Sequence, residues 1–240
     1  MIQFIPYGDS AVLVNFEQKI SQEVNSKVAA HTQAIENAGV PGILSIIPAY
    51  CSITVIYDSA RIKYGILADI LKSIFMRNEG STATRSCRNL LIPVCYAPPY
   101  ALDIVDLSTK SGISVNEIIT AHTSQIFHVF MLGFLPGFPY MGILPDTLIC
   151  QRKKHPRQCV PAGSVGLASI QTGIYPIDAP GGWQIIGRTP VPVFQQKNHP
   201  HFLFAAGDAV QFYPISKSEF IKMETDMVQG QFQIEKLYGQ

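Results

Sequence analysis

Arg188 is the side chain in this sequence that most needs a partner, because it lies among apolar neighbours in an almost uncharged stretch. That stretch, Val160–Pro190, reads VPAGSVGLASIQTGIYPIDAPGGWQIIGRTP, with Arg188 its only formal cation and Asp178 its only formal anion. A guanidinium buried without a counter-charge is costly, so Arg188 requires a carboxylate from the chain or an anionic ligand. Asp178 is the internal candidate, and a salt bridge between the two is the structural alternative to a binding role for either. Gln171, Thr172, Tyr175 and Trp183 supply hydrogen-bonding groups and an aromatic floor of the kind a small polar substrate uses. Gly163, Ser164 and Gly166 place a hydroxyl and several backbone N–H groups close together, an arrangement that can form an anion nest or oxyanion hole. A tight turn closed by the serine hydroxyl is the competing account of the same residues.

A second uncharged segment, MLGFLPGFPYMG, runs from Met131 to Gly142. Gly133, Gly137 and Gly142 can let backbone approach a ligand, with Pro136 and Pro139 fixing φ between them; turning the corners of a barrel is the plainer role for each. Arg152, Lys153, Lys154, His155 and Arg157 form the one basic cluster, just upstream of Val160. Arg157 joins Arg188 as a candidate for bidentate capture of a carboxylate or phosphate. His122, at the end of an expected helix, is a candidate general base, against the commoner role of a structural hydrogen-bonder. His199 and His201 are too thin a pair to propose a metal site. From these residues alone, a small anion binds in a cleft at a barrel rim, with the reaction left open.

Composition narrows the class. The 240 residues are 47% hydrophobic and 15% charged with a net charge of +1, which describes a well-buried globular chain without the field needed for nucleic acid or an anionic membrane. MIQFIPYGDS lacks the pattern of a signal peptide, and no apolar run reaches the ~20 residues needed to span a bilayer. Five scattered cysteines without a CxxC pair suit reduced thiols in the cytoplasm. Walker, GxGxxG, GxSxG and HExxH patterns are absent.

Two domains are expected to position these residues. Residues 1–85 read as a small α+β domain with strands at 2–7 and 11–16, a helix from Ser21 to Ala38, one or two strands across 43–57 and a helix at 64–77. The polar run NEGSTATRSCR (78–88) marks the boundary. Residues 86–240 open with a strand at 90–96, then helices at 101–110 and 115–121, the second introduced by the capping-box pair Ser114 and Glu117. A strand at 126–131 leads into short strands with frequent turns, the pattern of a barrel or sandwich. The last strands fall at 202–204 and 209–213, followed by a short helix at 219–227.

GFLPGFPYMG (133–142), PRQCVPAGSVGLA (156–168), QTGIYP (171–176) and PGGWQIIGRTP (180–190) resemble, in order, the PxpB/KipI family, also called allophanate hydrolase subunit one. The likeness extends over nearly the whole chain, from the strand–strand–helix start through AHTSQIFHVFMLGF to AGDAVQFYPIS. One segment departs: APPYALDI (97–104) stands where the family often has an acidic, glycine-containing loop.

The resemblance implies an α+β N-terminal domain and a mainly β, cyclophilin-like barrel carrying the site. It implies a cytoplasmic subunit of ATP-dependent 5-oxoprolinase, which cleaves 5-oxo-L-proline to L-glutamate. Its partners would be a PxpC/KipA-type subunit and a PxpA (LamB/YcsF-type) subunit, with ATP, accompanied by Mg2+, as co-substrate. Arg157, Ser164, Gln171, Tyr175, Trp183 and Arg188 fall in matching motifs. Arg188, Gln171, Ser164 and His122 are assigned to catalysis, and Arg157, Gly163, Gly137, Tyr175, Asp178 and Trp183 to holding substrate or phosphate. The alternatives are a KipI-like inhibitor of a sensor histidine kinase and, ranked lower, a relative of the carboxyl-transfer module of urea carboxylase.

Overall fold

A computed structural model describes residues 2–78, 87–197, 200–232 and 237–238. The chain divides into two compact units, Met1–Ser86 and Cys87–Gln240. The boundary expected near residue 85, and His199, lie outside the described residues.

In the first unit β1 (Gln3–Pro6), β2 (Ala11–Asn15), α1 (Gln22–Ala38), β3 (Ile43–Pro48), β4 (Ser52–Tyr57) and α2 (Tyr64–Arg77) follow in order. The strands form an antiparallel sheet, β1-β2-β4-β3. Local chemistry sets the ends of α1. The Ser21 hydroxyl accepts the Val24 N–H at 3.3 Å, and Gly39 stops the helix at φ 55°, a left-handed conformation that glycine adopts without strain. Val12, Val14, Ile53 and Val55 pack against Val28, Leu67 and Leu71 of the two helices.

The second unit contains β5 (Asn89–Val94), α3 (Ile104–Ser111), α4 (Val115–Thr123), β6 (Ile126–Leu132), β7 (Pro139–Gly142), β8 (Arg157–Val160), β9 (Ser164–Ala168), β10 (Gln171–Ile174), β11 (Ala179–Gly181), β12 (Gln184–Arg188), β13 (Ala209–Pro214) and α5 (Lys217–Val228). The expected capping box is present: Ser114 Oγ accepts the Glu117 N–H at 3.2 Å, and the Glu117 carboxylate accepts the Ser114 N–H at 2.7 Å. The strand expected at 202–204 is a single bridge from Phe202 to Phe194.

Seven strands form one curled sheet in the order β12-β9-β10-β7-β6-β13-β5, with β5 and β13 parallel and the other pairs antiparallel. The curl brings its two edges together at one point. Cys95 N–H donates to Arg188 O at 2.8 Å and Arg188 N–H returns to Cys95 O at 3.0 Å. Further along the same edge of β12, Ile185 O accepts the Asp103 N–H at 2.8 Å and Ile185 N–H donates to the Asp103 carboxylate at 2.7 Å. An edge that would otherwise be open is therefore satisfied by two residues following β5.

Each face of this sheet carries its own core. Val165, Leu167 and Ile186 belong to the larger one with Phe127, Met141 and Phe212. Ala168, Ile185, Trp183, Tyr175, Phe138 and Val160 form the smaller one on the opposite face.

Candidate functional site

β12 does not run regularly past β9. Ile185 pairs with Gly166 but Gly187 pairs with Val165, so two steps on β12 match one on β9. This bulge restores Arg188 to register opposite Ser164. Directly paired residues in an antiparallel ladder share a face, so Arg188 points with Ser164 to the side of Ile185 and Gly166. Without the extra residue, alternation would send Arg188 into the larger apolar core. Gly187 makes the bulge possible, since a Cβ there would stand 2.6 Å from Val94 Cγ1 and 3.0 Å from Cys95 O.

Arg188 is half-buried. Its Nε donates to Ala162 O at 2.7 Å, which fixes the plane of the guanidinium, and its two terminal nitrogens have no partner among the described residues. The expected salt bridge with Asp178 is absent among those residues. Asp178 is exposed and instead accepts the Ala162 N–H at 2.7 Å. Beside Arg188 the Ser164 hydroxyl, on a residue 2% exposed, makes no hydrogen bond among the described residues. An oriented fork of donors next to an uncommitted hydroxyl offers the kind of hydrogen bonds that a carboxylate or phosphate accepts.

The anion nest expected at Gly163, Ser164 and Gly166 is not formed. Gly163 N–H donates to Tyr175 O at 2.8 Å and Ser164 N–H to Pro161 O at 3.2 Å, while Gly166 lies mid-strand, paired on both sides. Gly163 has φ 79° and close backbone neighbours, so it serves the turn. Gly137, at φ 81°, packs against Phe202 and Phe194 rather than an open cleft.

Tyr175 and Trp183 are 1% and 5% exposed, so they form a packed cluster and not an open floor. Phe138 meets Tyr175 at 5.2 Å and Trp183 at 5.3 Å edge-to-face, and Arg152 lies 5.9 Å over the indole. Burial pushes the Tyr175 phenol above its ordinary value, and the Trp183 backbone N–H and Arg152 partly offset this. Gln171, opposite Ala168 and Gly142, shares the face of Arg188 and Ser164.

His122 is on the other face, 0% exposed in the interior of the curled sheet. Its Nδ1 lies 2.8 Å from Tyr96 Oη and its Nε2 3.1 Å from Thr172 Oγ1, and the Thr172 hydroxyl donates to Gly166 O at 3.2 Å. Because that hydroxyl's proton is committed to Gly166, Nε2–H donates to Thr172 and Nδ1 accepts from Tyr96. Burial lowers the imidazole to about 3. This neutral, fully bonded histidine has no route to a substrate proton, which corrects the general-base expectation.

Arg157 already has a carboxylate partner within the chain. Its Nη1 and Nη2 bind the two oxygens of Asp103 at 2.8 and 2.6 Å, and Lys153 Nζ adds a third bond at 2.7 Å. Burial alone would push the Asp103 carboxyl up; the bonds from Arg157, Lys153 and the Ile185 N–H outweigh it and hold the group below its ordinary value. Asp103 lies in the divergent APPYALDI segment, and nothing in its sequence neighbourhood marks a role for it. It occupies the N-cap position of α3 without capping it. The available signal is indirect: the cations at 152–157 outnumber the one acid near them in sequence, Asp146. No group of three or more His, Cys, Asp or Glu among the described residues could hold a metal ion.

The family described as the carboxyltransferase domain, subdomain C and D, matches residues 2–204, and the chain belongs to it. Within it, the B subunit of 5-oxoprolinase from Bacillus subtilis (strain 168) is 38% identical over 223 residues, covering 89% of this chain and 92% of that protein. The corresponding 5-oxoprolinase subunit of Escherichia coli O157:H7 is 34% identical over 208 residues, covering 86% and 93%. Membership of the PxpB/KipI family, read from the four motifs, is borne out. Among solved structures, TTHA0988 matches with a TM-score of 0.77 at 31% identity over 90% of this chain and 40% of that one. The Kluyveromyces lactis urea amidolyase matches at 0.79 and 19% identity, covering 97% of this chain and 16% of its own length, a likeness of fold.

Proposed function

We propose that this chain is the B-type subunit of an ATP-dependent 5-oxoprolinase, which opens 5-oxo-L-proline to L-glutamate together with PxpC/KipA-type and PxpA-type subunits. The observation that carries the reading is Arg188, fixed through Nε with both terminal nitrogens available beside the Ser164 hydroxyl. The substrate's one permanent charge is a carboxylate, which a guanidinium fork binds bidentately. The two 5-oxoprolinase relatives, from Bacillus subtilis and Escherichia coli, support the reaction class.

A lactam carbonyl is a poor electrophile. Transfer of the γ-phosphoryl group of ATP to the lactam oxygen, with ADP leaving, makes the ring carbon open to water; the C–N bond then breaks as the ring nitrogen takes up a proton, leaving an acyl phosphate that a second water hydrolyses to the glutamate carboxylate and phosphate. In this reading Arg188 anchors the carboxylate, Ser164 and Gln171 bond the polar atoms of the ring, and Mg2+ arrives with the nucleotide. The second unit is a cyclophilin-like barrel domain that folds without the first, and the protein acts in the cytoplasm. No helix among the described residues is long and apolar enough to cross a membrane. Cys51, Cys95, Cys150 and Cys159 are thiols.

The test is release of glutamate and phosphate from 5-oxo-L-proline and ATP, with this chain alone and then with both partners. Activity is expected only in the mixture. A silent mixture of verified, folded subunits defeats the reading.

A further inference from the structure

We infer that Arg152, Lys153 and Arg157 form a second anion site, separate from Arg188, that takes a phosphate-bearing small molecule. Charge is the first ground. From Cys150 to Gly182 the sequence has four full cations, Arg152, Lys153, Lys154 and Arg157, and one acid, Asp178. Asp178 is spent on the Ala162 N–H. The acid that meets the cluster is Asp103, and it neutralises one charge of the three on Arg152, Lys153 and Arg157.

Geometry turns this excess into a site. Asp103 draws Lys153 Nζ and Arg157 Nη2 onto a single oxygen at 2.7 and 2.6 Å, holding two cations side by side against their repulsion. Both stay in contact with solvent, with side chains 24% and 25% exposed. Lys153 uses one of its three N–H donors there, and Arg157 Nε has no bond among the described residues. The segment is held in place by backbone: Lys153 N–H donates to Gly182 O at 2.7 Å, and Gln184 Nε2 to Gln151 O at 3.0 Å. Arg152 is fixed between these two anchors, over the Trp183 ring.

The chemistry favours phosphate over carboxylate. A surplus of two positive charges matches a dianion, and phosphate at neutral pH approaches that charge with three acceptor oxygens for lysine and arginine donors. The site stands independently of Arg188 and of the 5-oxoprolinase reading.

Trp183 is the only tryptophan of the chain and lies against Arg152, so its fluorescence reports the site directly. Binding of inorganic phosphate, tripolyphosphate, ATP and adenosine is measured on the full chain by calorimetry and by tryptophan emission at matched ionic strength. Tripolyphosphate and ATP are expected to bind saturably and to shift emission, and adenosine to do neither. Arg152→Gln, a surface change that leaves the Asp103 pairs intact, should weaken binding about 10-fold, and Lys153→Gln at least as much. Arg188→Ala should leave it unchanged. Absence of saturable binding overturns the site, as does binding that survives both Arg152→Gln and Lys153→Gln or is lost in Arg188→Ala. Loss of glutamate release in the subunit mixture, with phosphate binding retained, counts only against the 5-oxoprolinase reading.

Discussion

Arg188 and Asp178 hold the same residue without pairing with each other: one donates to Ala162 O, the other accepts Ala162 N–H, each at 2.7 Å. The two charges that sequence alone would join in a salt bridge instead brace one peptide segment from both sides. Asp178 keeps its solvent exposure, and the outer nitrogens of Arg188 stay available.

Arg188→Gln should therefore raise the KM for 5-oxo-L-proline about 10–100-fold, the value of ~1.5–3 kcal/mol for a charged hydrogen bond. The melting temperature should change little, since the Cys95 bridge uses only backbone atoms. Asp178→Ala should give a smaller KM rise in the same direction by loosening Ala162. Steady-state kinetics on the reconstituted mixture separates these effects. A collapsed fold in Arg188→Gln would assign the residue to stability instead.

Gly187→Ala tests the bulge. A Cβ there invades Val94 and Cys95 O, so overpacking should cost roughly 1–3 kcal/mol and disturb the aim of Arg188. Chemical denaturation and KM together read the result. A variant with native stability and native KM would show that β12 tolerates a different register.

Asp103→Asn removes the charge that gathers Lys153 and Arg157. Breaking a buried pair costs ~3–5 kcal/mol, and urea unfolding at pH 7 should show a loss of that order. The folded carboxyl is held below its ordinary value, so its stabilisation is present above the unfolded pKa and is lost as pH falls through the folded one. The wild type should lose this contribution below pH ~4, and the variant should show a flatter profile there. Equal slopes would mean that Asp103 is not the linked group.

His122 titrates with the opposite charge type but the same direction of loss. Its folded pKa of about 3 lies under its ordinary value of 6.5, so between those values the unfolded chain binds the extra proton. Stability should fall as pH drops from 6.5 towards 3, by on the order of 3–5 kcal/mol from this group. His122→Phe should flatten that part of the curve even if it lowers stability at pH 7 by leaving the Tyr96 hydroxyl without its acceptor. An unchanged slope between pH 6 and 4 would show that His122 is protonated in the fold.

Local features are the legible ones. Ser21, the Ser114–Glu117 box and the helix at 64–77 follow from spacing within a few residues, and the structure has them at the expected positions. Arg188 and Ser164 stand out because charge and glycine patterns mark them. Asp103 does not, since its bonds to Lys153 and Arg157 span 50 and 54 positions. Trp183 and Tyr175 resemble ligand surface because an aromatic amid glycines reads alike whether the glycines open a cleft or let rings pack. The register that aims Arg188 depends on one extra residue in β12, and no propensity encodes a bulge.

β5 finds its parallel neighbour in β13, and the Arg88–Asp208 pair beside that seam spans 120 positions. During synthesis at ~5–20 residues per second, the first strand of the second unit waits roughly 6–24 s before its partner is made. Throughout that interval the nascent chain carries an unsealed strand of mostly apolar residues, Asn89–Val94. The sheet can close at this seam only after β13 has been made, a long-range pairing of the kind that slows folding.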